Sequence, residues 1–117
     1  AGLIAWSPLA GGLLAGRSED PGGRRQSDGI KAAAAARSQQ LARFETLCAE
    51  LRQTPGAVAL AWLLRQAGVA ATIIGPRSLD QLTSVLHVPD LQLSHETIAA
   101  IDAIFPACGR APEAYAW

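Results

Sequence analysis

Only two stretches of this chain read as β-strand, and each ends at once in a turn signal. Leu3 to Trp6 is a short apolar run with a glycine before it and Ser7-Pro8 after it; Ala71 to Ile74 carries β-branched residues and ends at Gly75-Pro76. Runs this short and this evenly apolar suit buried strands of a parallel sheet rather than the alternating strands of a half-wet antiparallel one. Helix and loop signals fill the rest, so the order is strand, loop, helices, strand, helix, helix, the βα alternation of a parallel sheet with right-handed crossovers. Two parallel strands leave ladders of backbone groups unpaired, and such a sheet rarely stands alone. The chain is therefore expected to be a piece of something larger, or to be completed by a partner, with its sheet edges open to self-association.

The helices announce themselves locally. From Lys31 to Arg52 no glycine or proline intervenes, and Leu41, Phe44, Leu47, Cys48 and Leu51 recur on one helical face, which predicts a single helix. Thr54 before Pro55 is a cap and first-turn signature, because the hydroxyl accepts an orphan amide and proline has none to leave unpaired; this predicts a helix from Pro55 to about Gln66, ended by Gly68. Ser78 stands three residues before Gln81, the spacing of a capping box, so a helix is predicted from there to about His87. Ser94 opens the last helix, with Leu93 and Ile98 spaced as a hydrophobic staple, and the helix runs to Phe105 before Pro106. Residues 18–30, with Pro21, Gly22, Gly23 and Gly29, read as a long exposed loop.

Composition narrows the function classes. Half of the 117 residues are apolar, enough to build a core. Ten basic and ten acidic side chains cancel, so no overall field draws the chain to nucleic acid or to an anionic membrane, and a small molecule or a protein is the expected partner. The longest apolar stretch, Ala57 to Leu64, is far below the roughly 20 residues of a membrane span, and the front of the chain has no signal-peptide pattern, so a soluble cytoplasmic protein is expected. Cys48 and Cys108 have neither CxxC nor metal-ligand spacing and read as two reduced, buried thiols.

Four segments, IAWSPLAGGLLAGR, TPGAVALAWLLRQAGV, TIIGPRSLDQL and LSHETIAAIDAIF, together resemble, in this order, the last third of the aldo/keto reductase family. The resemblance covers nearly the whole chain and implies an α/β fold, the C-terminal part of a (β/α)₈ TIM barrel, with the two apolar runs as its seventh and eighth strands. Residues 1–117 would then be a C-terminal fragment of one barrel domain. It also implies NADP(H) as cofactor, a small-molecule carbonyl substrate in the complete enzyme, and a site at the C-terminal ends of the strands, where barrel enzymes keep their chemistry.

Both glycine-bearing turns lie at that face. The turn Ser7-Pro8-Leu9-Ala10-Gly11-Gly12 offers backbone amides with little bulk, suited to a pyrophosphate, and Arg17 adds a positive charge; the alternative is an ordinary strand-to-helix turn whose glycines supply only backbone freedom. Gly75-Pro76-Arg77-Ser78, followed by Gln81, sets an arginine beside a helix start, where charge and dipole favour an anion such as the 2′-phosphate of NADPH. The resemblance makes Ser7, Pro8, Leu9, Gly11, Arg17, Gly75, Arg77, Ser78 and Gln81 the cofactor-binding set. The alternative is that Ser78 and Gln81 merely cap their helix and Arg77 is solvated.

The chain departs from the family pattern at Val85, where an adenine-reading asparagine is common, and at Ser84, where an acidic residue is. Arg24 and Arg25 sit in the long loop, which in some members closes over the nucleotide, and are equally read as solvated. The family's catalytic aspartate, tyrosine, lysine and histidine motifs do not occur. Lys31 and Tyr115 have no reason to converge, and His87 and His95 read as capped or solvated imidazoles. Tyr115 and Trp117 read as surface packing or the rim of a substrate mouth. No catalytic residue and no metal ligand is assigned, and the isolated chain is expected to reduce no carbonyl. The two other readings are a non-catalytic NADP-binding regulatory subunit and an inert truncated remnant.

Overall fold

A computed structural model describes residues 1–16 and 27–109. The sequence order of elements is strand β1 (Leu3–Trp6), helices α1 (Asp28–Ala36), α2 (Ser38–Glu50) and α3 (Pro55–Leu64), strand β2 (Val69–Ile73), and helices α4 (Leu79–Thr83) and α5 (His95–Ile104), with 3₁₀ turns at Ala10–Gly12 and Val88–Asp90. The fold is mixed α/β.

β1 and β2 pair in parallel, with Leu3 opposite Val69, Ile4 opposite Ala71, Ala5 opposite Thr72 and Trp6 opposite Ile73. The second strand starts earlier than its β-branched run, at Val69, because the ladder begins where Leu3 N–H reaches Gly68 O at 2.7 Å. Pairing is as the runs predict; burial is not. Leu3, Ile4, Trp6 and Ile73 are 63, 59, 78 and 59 % exposed, whereas the partners Ala5 and Thr72 are half-buried. The reason is coverage: α3 packs on β2, and among the described residues no second layer covers the opposite face.

The core lies in the helical layer. Leu41, Phe44 and Cys48 of α2, Ala57 through Ala61 of α3, Val88, Leu93, and Ile101 and Ile104 of α5 are buried, Phe44, Cys48 and Val58 almost fully. α3 is apolar all round because it is central, packed between α2, β2 and the Val88–Asp90 turn. Its Ala-rich sequence lets neighbours approach closely. Phe44 and Phe105 meet edge to face with centroids 5.7 Å apart. Polar ties bind the layer at its rim: Trp62 Nε1 donates to Asp102 Oδ1 at 2.9 Å, Gln40 Nε2 to Ile104 O at 2.8 Å, and Arg65 to Leu91 O at 2.7 Å.

The expected single helix over 31–52 is two helices that meet at Arg37, where φ is −116° and ψ 23°. No glycine or proline marks the break. α2 turns Leu41, Phe44 and Cys48 into the core, while α1 buries no side chain and its Ile30 lies over the first turn, at Gly11; one straight rod cannot follow both surfaces. The three predicted caps do form: Thr54 accepts from Ala57 N, Ser78 from Gln81 N and Ser94 from Thr97 N.

Candidate functional site

Because the strands are parallel and Trp6 is the partner of Ile73, the turns that follow them leave the same end of the sheet from adjacent positions, about 4.8 Å apart across the ladder. Sequence-distant turns thereby share one edge.

The first turn winds tightly. Ala10 N donates to Ser7 O at 3.0 Å, Gly12 N to Leu9 O at 3.0 Å and Leu14 N to Leu9 O at 3.2 Å. Ser7 and Ala10 both take φ 51°, in the left-handed region, and Gly11 and Gly12 take 68° and 101°. Glycine at position 11 has a second reason besides its backbone: a Cβ there would stand 3.0 Å from Ile30 Cδ1. The turn is anchored on α3, since Gly16 lies against Pro55 and Gly56 against Leu9 and Ala15. Among the described residues the N–H groups of Leu9 and Gly11 donate to no backbone carbonyl. Two amide donors in a turn of small residues fit a phosphate oxygen. Pro8, Leu9 and Gly11 are half-buried and Ser7 is exposed.

Gly75, Pro76, Arg77, Ser78 and Gln81 of the second turn are all exposed. A Cβ on Gly75 would meet nothing within 4 Å, so the strand end opens onto free space. Ser78 and Gln81 are engaged with the turn itself: Gln81 N donates to Ser78 Oγ at 3.2 Å, and Gln81 Oε1 accepts the backbone N–H of Arg77 at 2.7 Å.

The helix predicted to reach about His87 stops at Thr83. Thr83 Oγ1 bonds back to Leu79 O at 2.9 Å and Ser84 Oγ to Gln81 O at 2.8 Å, and such hydroxyls compete with the helix ladder. A helix of five residues sums few peptide dipoles, so the dipole assistance at its start is small. Val85, where the resemblance led one to look for an adenine-reading side chain, packs against the core.

Arg17, Arg24, Arg25, Tyr115 and Trp117 lie outside the described residues. Lys31 is exposed on α1, and His87 Nε2 pairs with Gln53 Oε1 at 2.8 Å. The expectation of two buried thiols holds for one: Cys48 is buried, with burial and then Glu45 pushing its thiol pKa up to about 11, but Cys108, past the end of α5, is exposed. Among the described residues no three His, Cys, Asp or Glu gather to hold a metal, and no helix is long and apolar enough to cross a membrane. Sequence reasoning passed over Ala10, whose left-handed backbone carries no signal when the residue is not glycine.

Residues 1–105 match the family model described as the aldo/keto reductase family. Similar proteins include the uncharacterized oxidoreductase YrpG of Bacillus subtilis, 41 % identical over 121 residues, covering 99 % of this chain and 36 % of that protein. The uncharacterized oxidoreductase Rv2298 of Mycobacterium tuberculosis is 37 % identical over 85 % of this chain and 32 % of its own length. The aldo-keto reductase str7 of Strobilurus tenacellus is 26 % identical over 85 % of this chain and 32 % of its length. The chain spans about a third of the length of these curated relatives.

Proposed function

The chain belongs to the aldo/keto reductase family, and from that premise we propose that it is the cofactor-holding last part of a longer (β/α)₈ barrel that reduces carbonyl compounds with NADPH. The observation that carries this reading is the parallel pairing of β1 and β2, which brings both turns to one end of the sheet. The exposed faces of Leu3, Ile4, Trp6 and Ile73 are those that earlier barrel strands and their side chains would cover.

In this reading NADPH supplies a hydride to the carbonyl carbon. The Leu9 and Gly11 amides, with Ser7 and Pro8 shaping their turn, take the pyrophosphate oxygens. Arg17 adds positive charge there. Gly75 leaves room beside the strand end, Arg77 pairs with the 2′-phosphate as a charge-assisted donor, and Ser78 and Gln81 complete that turn. The proton that the product alcohol requires comes from residues of the longer protein, so the 117-residue chain by itself turns over no carbonyl substrate.

The test is a titration of the chain with NADPH and NADH, followed by nicotinamide fluorescence. NADPH is expected to bind at least tenfold more tightly. Equal affinity for the two, or binding of neither, overturns the reading.

A further inference from the structure

The chain holds five aspartates and no asparagine, so any cyclic imide its backbone forms starts from Asp20, Asp28, Asp80, Asp90 or Asp102. In that reaction the amide nitrogen of the following residue attacks the aspartate Cγ, and the state of that nitrogen decides the outcome. Asp20 precedes Pro21, whose nitrogen carries no hydrogen to give up. Three of the others are followed by a nitrogen that the fold holds: Gln81 N donates to Ser78 Oγ at 3.2 Å, Leu91 N to Val88 O at 3.1 Å, and Ala103 N lies within the ladder of α5. Asp102 is held at its side chain as well, where Oδ1 accepts from Trp62 Nε1 at 2.9 Å.

Asp28 differs on each count. The residue after it is Gly29, which has no side chain to obstruct ring closure, and a Cβ there would meet nothing within 4 Å. Both residues are exposed. They are the first two of α1, so Gly29 N–H has no acceptor inside the helix and depends on the N-cap. Ser27, the N-cap, makes no side-chain bond to the helix, and among the described residues Gly29 N–H donates to no backbone carbonyl. Because α1 buries no side chain, opening its first turn is a small local event.

We propose that Asp28 is a site of spontaneous isoaspartate formation, and that the product detaches Ile30 from Gly11 of the first turn. Gly29 N bonds to Asp28 Cγ, and the hydroxyl of the protonated carboxyl leaves as water with the amide hydrogen, closing the imide. Water then opens the imide at the main-chain carbonyl. The backbone now runs through Asp28 Cβ, and the former main-chain carbonyl becomes a free carboxylate. Water lost in the first step returns in the second, so no oxidant, reductant or cofactor is required. The rerouted chain is one methylene longer inside the turn that Lys31 N closes on Ser27 O at 3.0 Å, and the enlarged ring loses that bond. Ile30, whose Cδ1 stands 3.0 Å from where a Gly11 Cβ would lie, sits on the altered turn and moves with it.

The experiment incubates the full chain at neutral pH, folded and in enough urea to unfold it, and maps isoaspartate by peptide digestion and labelling with an isoaspartyl methyltransferase. In the folded chain isoaspartate is expected at Asp28 severalfold faster than at Asp80, Asp90 or Asp102. Urea should raise the rate at those three and leave that at Asp28 nearly unchanged. Gly29→Ala should slow the reaction at Asp28 severalfold and at no other aspartate. In the aged chain the NMR amide signal of Gly11 should divide in two, in proportion to the isoaspartate content. A folded-state rate at Asp28 no greater than at the other three, or one that urea raises as much as theirs, overturns the assignment of the site. An undivided Gly11 signal in a chain that carries isoaspartate at Asp28 overturns its link to the first turn.

Discussion

Trp6 and Ile73 are register partners at the forward ends of two parallel strands. The partnership has a chemical consequence that neither residue has alone: whatever follows Trp6 and whatever follows Ile73 emerges side by side, pointing the same way out of the sheet. A turn with two amide donors and a turn with a guanidinium thereby become parts of one surface.

Replacing Arg77 with alanine is expected to weaken NADPH by about 10- to 100-fold, the range of a charged hydrogen bond, and NADH by less than about threefold. Parallel titrations of both cofactors measure the difference. Equal loss for both would show that the arginine does not read the phosphate.

Cys48 makes stability fall at high pH. Its thiol pKa is raised from 9.0 to about 11, first by burial and then by Glu45. Below pH 9 the folded and unfolded chains both hold the proton, so this contribution is complete. As pH rises from 9 to 11 the unfolded chain releases it and the folded chain does not, which costs roughly 3 kcal/mol at most. Urea midpoints of wild type and Cys48→Ala should therefore converge as pH rises through that window. The same burial makes Cys48 unreactive to a thiol reagent at pH 8 until denaturant is added, whereas Cys108 reacts at once.

Arg52 ends α2 in the left-handed region at φ 55°, with Gln53 N donating to Cys48 O at 3.0 Å across the turn. Glycine takes that conformation without the side-chain penalty. Arg52→Gly is expected to raise stability by about 1 kcal/mol, seen as a higher urea midpoint with an unchanged slope.

Phe44 is 1 % exposed and stacks edge to face on Phe105. Phe44→Ala should cost about 3–5 kcal/mol through lost burial and the cavity left behind. Calorimetry would then show a large drop in the melting temperature, or no cooperative transition. A loss below about 1 kcal/mol would mean that the α2–α5 contact is not the heart of the core.

What could be read from the chain beforehand was whatever is decided within a few residues. Thr54, Ser78 and Ser94 act as caps because a hydroxyl and an amide three positions on are all that the bond requires. The parallel pairing followed from two apolar runs and the helices between them. The break at Arg37 did not, because α2 bends to keep Phe44 in the core and no residue near the bend is a helix breaker. The early end of α4 had a signal in the adjacent hydroxyls of Thr83 and Ser84, which the capping-box spacing at its start says nothing about. At the site, glycine and proline marked both turns, but nothing in the order of residues showed that Gln81 Oε1 accepts the backbone N–H of Arg77, which three-dimensional proximity decides.

The strands that meet at Trp6 and Ile73 lie on either side of α1, α2 and α3 in the chain, so zipping them together closes a loop that includes most of the helical layer. Closure of that kind is entropically costly and comes after local contacts have formed, which makes the ladder a late step and, with its faces in water, a weakly held one. In the proposed reading, a dinucleotide touching both turns would bind only the zipped form, and mass action would then keep it zipped, making the ligand the fastener of the sheet beneath it.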